Sequence, residues 1–154
     1  THWGSASCPA NNGTMYSGYI GTGSRQRTGG TSSYLCMTGS MRLDQISSAD
    51  EDSVHLDLHP VKFAYVSTAS TGSLAFLSAV DSHYAVCSVC QAPGNRSWSL
   101  MVVGRRSCPA PAWSVDYNGY LMSNSYNRQG RSEYICVDGL SSLCCKHHLF
   151  YAQS

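Results

Sequence analysis

Short apolar runs bounded by glycine, serine or proline recur along the whole of this 154-residue chain. Residues 54–59 alternate strictly between apolar and polar side chains and stop at Pro60, as expected for a half-buried strand. The other runs are rich in valine, tyrosine and threonine, which favours strands. They predict strands at 63–67, 74–80, 84–89, 98–103, 134–137 and 148–152. A short helix near 41–46 is compatible with the pattern, but the overall prediction is an all-β protein.

An internal repeat links the two ends of the chain. Three motifs return in the same order: Gly-x-x-Ser-Cys-Pro at 4–9 and 104–109, Tyr-x-Gly-Tyr at 16–19 and 117–120, and Tyr-x-Cys at 34–36 and 134–136. The offset is 100 residues at both ends and 101 in the middle. The repeat predicts two pseudo-equivalent copies of one unit, each with a trailing cysteine pair, that fold together as one cooperative domain.

The two copies differ in length. Repeat 1 covers 1–103, and repeat 2 covers 104–154. Repeat 1 consists of a core motif at 4–39, an insertion at 40–86, a cysteine pair at 87–90 and a connecting strand at 98–103. We expect both to form one compact, disulfide-rich domain with a sandwich-like or barrel-like architecture.

Charged residues make up 12% of the chain, about half the usual share, and the net charge is +1. This composition lacks the basic stripe that neutralises phosphates, so nucleic acid is not an expected partner. No apolar run approaches the ~18 residues that indicate a membrane-spanning helix. We therefore expect neither a nucleic-acid-binding protein nor a membrane span.

Eight cysteines point to an oxidising compartment. The motif at 87–90 is the only CxxC, so disulfides are favoured over zinc sites, and a redox-active Cys87/Cys90 pair is the alternative. The pairing of the cysteines is not deducible from the sequence. The first residue is Thr1 rather than methionine, which predicts a removed signal peptide and a secreted, extracellular protein. The predicted disulfide cysteines are Cys8, Cys36, Cys87, Cys90, Cys108, Cys136, Cys144 and Cys145.

Between the predicted Gly-Tyr strand and Tyr-x-Cys strand of each copy lies a polar loop, at 20–33 and 121–133, which is the candidate binding surface. Arginine, asparagine and glutamine offer planar hydrogen-bonding groups, small residues allow close approach, and tyrosines can stack, which together suit a sugar. The alternative is that both loops are ordinary solvated connections. The candidate glycan-binding residues are Tyr19, Ser24, Arg25, Arg27, Tyr120, Ser125, Tyr126, Asn127 and Arg128.

His55, Asp57 and His59 would share one face of a strand and resemble a metal site with two histidines and one carboxylate. Ligands on a single strand rarely complete a site, so a half-buried strand with solvated polar groups is the preferred interpretation and no cofactor is expected. The chain lacks GxSxG, HExxH, a P-loop and a complete GxGxxG. We therefore do not expect an enzyme, and a metal-dependent enzyme ranks third among the hypotheses.

Several motifs resemble those of a known family, in order and over most of the chain. They include Trp3-Gly4, Tyr16-Ser17-Gly18-Tyr19, Tyr34-Leu35-Cys36, Cys87-Ser88-Val89-Cys90 and Glu133-Tyr134-Ile135-Cys136-Val137-Asp138. The chain resembles the domains attached to sponge-type short-chain collagens and the related mollusc and cnidarian extracellular proteins, some of which are lectin-like. The resemblance implies a secreted, disulfide-bonded module of tissue matrix or body fluid.

Two functional hypotheses follow. The first is a lectin whose two loops bind glycans or glycoproteins weakly at each site, with several sites or a homo-oligomer adding avidity. The second is a structural module of extracellular matrix, egg coat or shell that binds no sugar.

Overall fold

The computed structural model describes residues 1–9, 12–24, 26, 28–39, 58–64, 81–92, 94, 99–105, 108, 111, 113–125, 128–138 and 148–153. Within these residues the chain forms nine strands and no helix, which confirms the all-β prediction. The strands are β1 (His2–Trp3), β2 (Gly13–Thr22), β3 (Leu35–Thr38), β4 (His59–Pro60), β5 (Val86–Gln91), β6 (Ser99–Val103), β7 (Trp113–Met122), β8 (Ile135–Asp138) and β9 (His148–Gln153). The helix considered near 41–46, the strand predicted at 74–80 and most of those predicted at 54–59 and 63–67 lie outside the described residues.

All nine strands belong to one open, mixed sheet in the order β3-β2-β5-β1-β8-β7-β9-β6, and β4 pairs with β2 beside this series. Every pairing is antiparallel except that of β1 with β8, where Trp3 lies opposite Val137. The expected sandwich or barrel is therefore not confirmed in the described part of the chain. No helix found there is long and apolar enough to cross a membrane.

The β2–β3 and β7–β8 hairpins have matching registers. Gly18 lies opposite Thr38 in the first, and Gly119 lies opposite Asp138 in the second. Both long strands also have an irregularity at the same place in their pairing with the next strand, just before a tyrosine. These irregularities lie between Thr14 and Tyr16 on β2 and between Val115 and Tyr117 on β7.

Gly18 and Gly119 allow unusually close contact between strands. A Cβ atom at Gly18 would overlap the carbonyl oxygen of Met37, and one at Gly119 would overlap that of Val137. The sheet is strongly curled around Gly18. Cys36 and Cys87 lie on the two strands that flank β2, and their Cα atoms are 5.7 Å apart. In a flat sheet, strands on either side of a third are about 9–10 Å apart.

Two disulfides are present among the described residues, Cys8–Cys90 and Cys36–Cys87. They join segments separated by 82 and 51 residues, respectively, so each closes a long loop of the unfolded chain. Of the other predicted disulfide cysteines, Cys108 is partly buried and Cys136 is buried, while Cys144 and Cys145 lie outside the described residues.

Buried side chains lie on both faces of the sheet, since Ile135, Cys136 and Val137 are consecutive on β8 and all three are buried. The buried residues come from both halves of the chain, and they include a hydrogen-bonded tyrosine. Tyr117 donates its hydroxyl proton to the carbonyl oxygen of Cys136 at 3.0 Å, and burial raises the pKa of this tyrosine. At the corresponding place Tyr16 donates to the carbonyl oxygen of Cys36 at 3.2 Å. The main core cluster contains Ile20, Tyr34, Ala85, Cys87, Ile135 and Val137.

We predict that Gly18→Ala lowers the free energy of unfolding by about 2 kcal/mol or more, because the added methyl group meets backbone that has no room to yield. The matched control is Gly29→Ala, where an added Cβ meets nothing within 4 Å, and its effect should stay within about 0.5 kcal/mol. Urea unfolding with the disulfides intact measures both. Equal stability of the two variants would contradict this account of the curl.

Candidate functional site

A cleft with a volume of about 420 Å³ opens where the first polar loop meets the segment around β4. Its lining combines hydroxyl, amide and basic side chains with one aromatic ring, and it includes one residue of the second polar loop. The lining residues are Thr22, Gly23, Ser24, Gln26, His59, Pro60, Val61, Lys62, Tyr84 and Asn124.

Backbone hydrogen bonds hold the floor of this cleft in place. The β4 strand pairs with the end of β2, where Pro60 lies opposite Gly21. The Val61 amide donates to the carbonyl oxygen of Ile20 at 2.8 Å, and the Ala85 amide donates to that of Val61 at 2.9 Å. The segment at 59–62 is therefore fixed between β2 and the residues that lead into β5.

Local side-chain hydrogen bonds shape the first loop. Thr22 is buried, and its hydroxyl donates to the carbonyl oxygen of Ser33 at 3.1 Å, which draws the two ends of the loop together. The amide of Gln26 donates to the hydroxyl oxygen of Ser24 at 3.3 Å, an arrangement typical of serine in tight turns. The two ends of the loop are therefore held together, and Ser24 and Gln26 between them line the cleft.

Tyr84 and Lys62 form the aromatic and charged part of the cleft. Tyr84 is 49% exposed, and the Lys62 ammonium nitrogen lies 4.6 Å from the centroid of its ring. The ring of Tyr19 meets Tyr84 edge-on at a centroid distance of 6.0 Å. None of the described lining residues carries a carboxylate, so Lys62 gives the cleft a positive character.

The second loop packs against the first through hydrogen bonds between the two halves of the chain. The Glu133 carboxylate accepts from the Tyr34 amide at 2.9 Å, and the Glu133 amide donates to the carbonyl oxygen of Ser32 at 3.0 Å. The hydroxyls of Tyr34 and Ser132 are 2.8 Å apart, and the Ser132 hydroxyl also accepts from the Asn124 amide at 2.8 Å. This contact explains how Asn124 reaches the cleft.

No protein-family model, curated protein or solved structure matches the chain. The functional proposal below therefore depends on the chemistry of the residues that line the cleft.

The structure brings only part of the predicted glycan-binding set to this cleft. Ser24 lines it, and Tyr19 contacts its aromatic wall. Tyr120, Ser125 and Arg128 are not among the lining residues; the Arg128 amide donates to the carbonyl oxygen of Ser125 at 3.1 Å and closes a turn. The remaining candidates, Arg25, Arg27, Tyr126 and Asn127, lie outside the described residues.

The metal hypothesis finds no support in the described part of the chain. His59 lines the cleft, whereas His55 and Asp57 lie outside the described residues. Among the residues that are described, no three histidines, cysteines or acidic residues come together as metal ligands.

Four residues that line the cleft are absent from the set predicted from the sequence: Gln26, Lys62, Tyr84 and Asn124. Lys62 and Tyr84 form an isolated bridge between two segments of the predicted insertion, so their proximity depends on long-range pairing. Lys62 is one of two lysines in the chain, but no motif of the sequence marks it as a ligand-binding residue.

We predict that the free energy of unfolding falls as the pH rises above about 10 and that Tyr34→Phe makes this fall less steep. Burial raises the pKa of Tyr34, the nearby Glu133 carboxylate raises it further, and the hydrogen bond to Ser132 opposes them. The unfolded chain therefore releases this proton first, and the folded state loses relative stability with rising pH.

One such tyrosine changes the slope by at most about 1.4 kcal/mol per pH unit. The measurement is urea unfolding at several pH values, with Tyr134→Phe as the control because that side chain is 63% exposed. Identical slopes for wild type and Tyr34→Phe would show that Tyr34 is not buried at the contact between the loops.

Proposed function

We propose that this chain is a secreted carbohydrate-binding protein and that a glycan binds in the cleft between the first loop, β4 and Tyr84. The observation that carries the proposal is the lining itself, in which hydroxyl, amide and ammonium groups surround one half-exposed aromatic ring. The two disulfides are compatible with an extracellular protein.

The size and the polar groups of the cleft support a small glycan as the ligand. A volume of about 420 Å³ falls at the lower end of the range for small-molecule sites. Ser24 brings a hydroxyl, and Gln26 and Asn124 bring amides that both donate and accept. A sugar hydroxyl both donates and accepts hydrogen bonds, and amide and hydroxyl side chains can pair with it in both ways.

The ring of Tyr84 supports recognition of the apolar face of a sugar, because an exposed tyrosine offers a flat apolar surface with a polar tip. Lys62 lies over this ring and brings a positive charge with no described carboxylate in the lining to neutralise it. This arrangement favours a sugar with an acidic group over a neutral one, since a charged hydrogen bond is stronger than a neutral one.

Duplication remains part of the proposal. The matching registers of the two hairpins support two copies of one unit. Because Asn124 of the second loop lines the same cleft as Ser24 of the first, we propose one principal glycan site shared by the loops. A second site on the second loop, around Ser125 and Arg128, stays a prediction.

The alternative function is a structural module of extracellular matrix, egg coat or shell. It is favoured by exposed apolar residues on the terminal strands of the described sheet, Leu35 on β3 and Leu100 and Val103 on β6. Assembly of the protein together with an empty glycan screen would support this alternative.

We predict that the purified chain binds acidic glycans on an array and that Tyr84→Ala weakens this binding about tenfold in a direct titration, as loss of about 1.4 kcal/mol would do. Lys62→Gln should weaken the binding of acidic glycans by a similar factor and leave neutral analogues unchanged. The matched aromatic control is Tyr134→Ala, an exposed tyrosine that is not among the lining residues.

The proposal fails if no glycan binds to the chain at about millimolar concentration. It also fails if Tyr84→Ala binds as tightly as wild type while remaining folded.

A further inference from the structure

The strand order of the sheet divides into two consecutive groups of four. The first group is β3-β2-β5-β1, and the second is β8-β7-β9-β6. Each strand of the first group takes the same place as one strand of the second, so β3 corresponds to β8 and β1 corresponds to β6. The groups join through β1 and β8, and β3 and β6 are the two ends of the described sheet.

The registers support this correspondence residue by residue. In each group the last strand, β1 or β6, pairs with its neighbour, and that neighbour pairs with the close-contact glycine of the long strand. The backbone also continues in the same way after β1 and β6, since Gly4 and Gly104 have φ angles of +88° and +83°. The two matching sets of partners are Trp3–Cys87–Gly18 and Val103–His148–Gly119.

The internal junction between the groups is tightly packed. Trp3 lies opposite Val137 in the parallel pairing of β1 with β8. A Cβ atom at Gly4 would lie 2.6 Å from Cγ1 of Val137 and 2.9 Å from the Asp138 amide nitrogen. The buried His2 adds an ion pair, with its Nε2 atom 2.8 Å from the Asp138 carboxylate.

The strands β6 and β3, which correspond to β1 and β8 of this junction, lie at the two ends of the described sheet. No described strand pairs with the outer edge of either one. On β6, Leu100 is 46% and Val103 is 53% exposed, and on β3, Leu35 is 53% exposed. Neither strand contains a charged residue or a proline, the usual protection of an exposed sheet edge. A Cβ atom at Gly104 would meet nothing within 4 Å, whereas its counterpart Gly4 is packed against β8.

We infer that the β6 edge of one molecule pairs in parallel with the β3 edge of a second copy of this chain, repeating the β1–β8 junction with Val103 opposite Met37. The positions of His2 and Asp138 are taken by Val102 and Thr38, so this contact is apolar and has little dependence on salt. The two edges differ, so the interface is heterologous and produces head-to-tail chains or a closed ring.

The test measures the mass of the full-length oxidised protein by sedimentation over about a hundredfold range of concentration. Val103→Lys places a charge on the β6 edge, and Leu35→Lys places one on the β3 edge, so each variant should remain monomeric alone. Each keeps one intact edge, and an equal mixture should form a dimer that cannot grow further. The matched control is Val115→Lys, an exposed valine (41%) on β7, which has a strand on each side.

Wild type and Val115→Lys should grow in mass with concentration, at low and high salt alike. A wild-type chain that stays monomeric throughout overturns the inference, and so does a mixture of the two edge variants that stays monomeric while each is folded by circular dichroism. Equal loss of assembly in Val115→Lys also overturns it, because added charge rather than the edge would then be responsible.

Discussion

The absence of a side chain at Gly18 is the constraint on which the shape of the sheet depends. The carbonyl oxygen of Met37 occupies the space that a Cβ atom would need, so β3 turns over the face of β2 instead of extending flat beside it. This turn brings Cys36 close enough to Cys87, on the other side of β2, for a disulfide to form. Glycine permits the curl at a cost in backbone entropy, and the disulfide offsets that cost by restricting the unfolded chain.

The cleft lies at the end of β2, where strand pairing holds the first loop in place. At the end of β2, Gly21 is paired with Leu35 on one side and with Pro60 on the other, so the first loop leaves the sheet from a point that is held on both sides. The return of the chain is fixed as well, since Tyr34 is buried and its amide donates to Glu133 of the other half. The geometry of the candidate site therefore depends on contact between the two halves as much as on its own loop.

Local pattern predicted strands because it records which residues can lie on a pleated surface. The strands predicted at 84–89, 98–103, 134–137 and 148–152 overlap β5, β6, β8 and β9. Strand β1 was not predicted, because two residues are too few to show a periodic pattern. Its parallel pairing with β8 depends on which strand edges meet, and a local pattern contains no information about that. The same limit applies to the site: Lys62 and Tyr84 join the loop only through long-range pairing. The prediction of an equivalent trailing cysteine pair in each copy does not match the strand registers. Cys87 lies opposite Gly18 in the first copy, whereas His148 lies opposite Gly119 in the second.

Edge pairing would strengthen glycan binding. A single shallow polar cleft binds a sugar weakly, because sugar hydroxyls exchange hydrogen bonds with water for similar ones with protein. Head-to-tail pairing would extend the sheet by eight strands per molecule, so successive clefts along a flat array would lie about 38 Å apart at ~4.8 Å per strand. Twist and curl shorten that distance, and the clefts that face the same side of the array are the ones that can engage one surface together. Repeated clefts at a fixed spacing would select glycans displayed densely on a surface, because avidity requires several sites to engage at once.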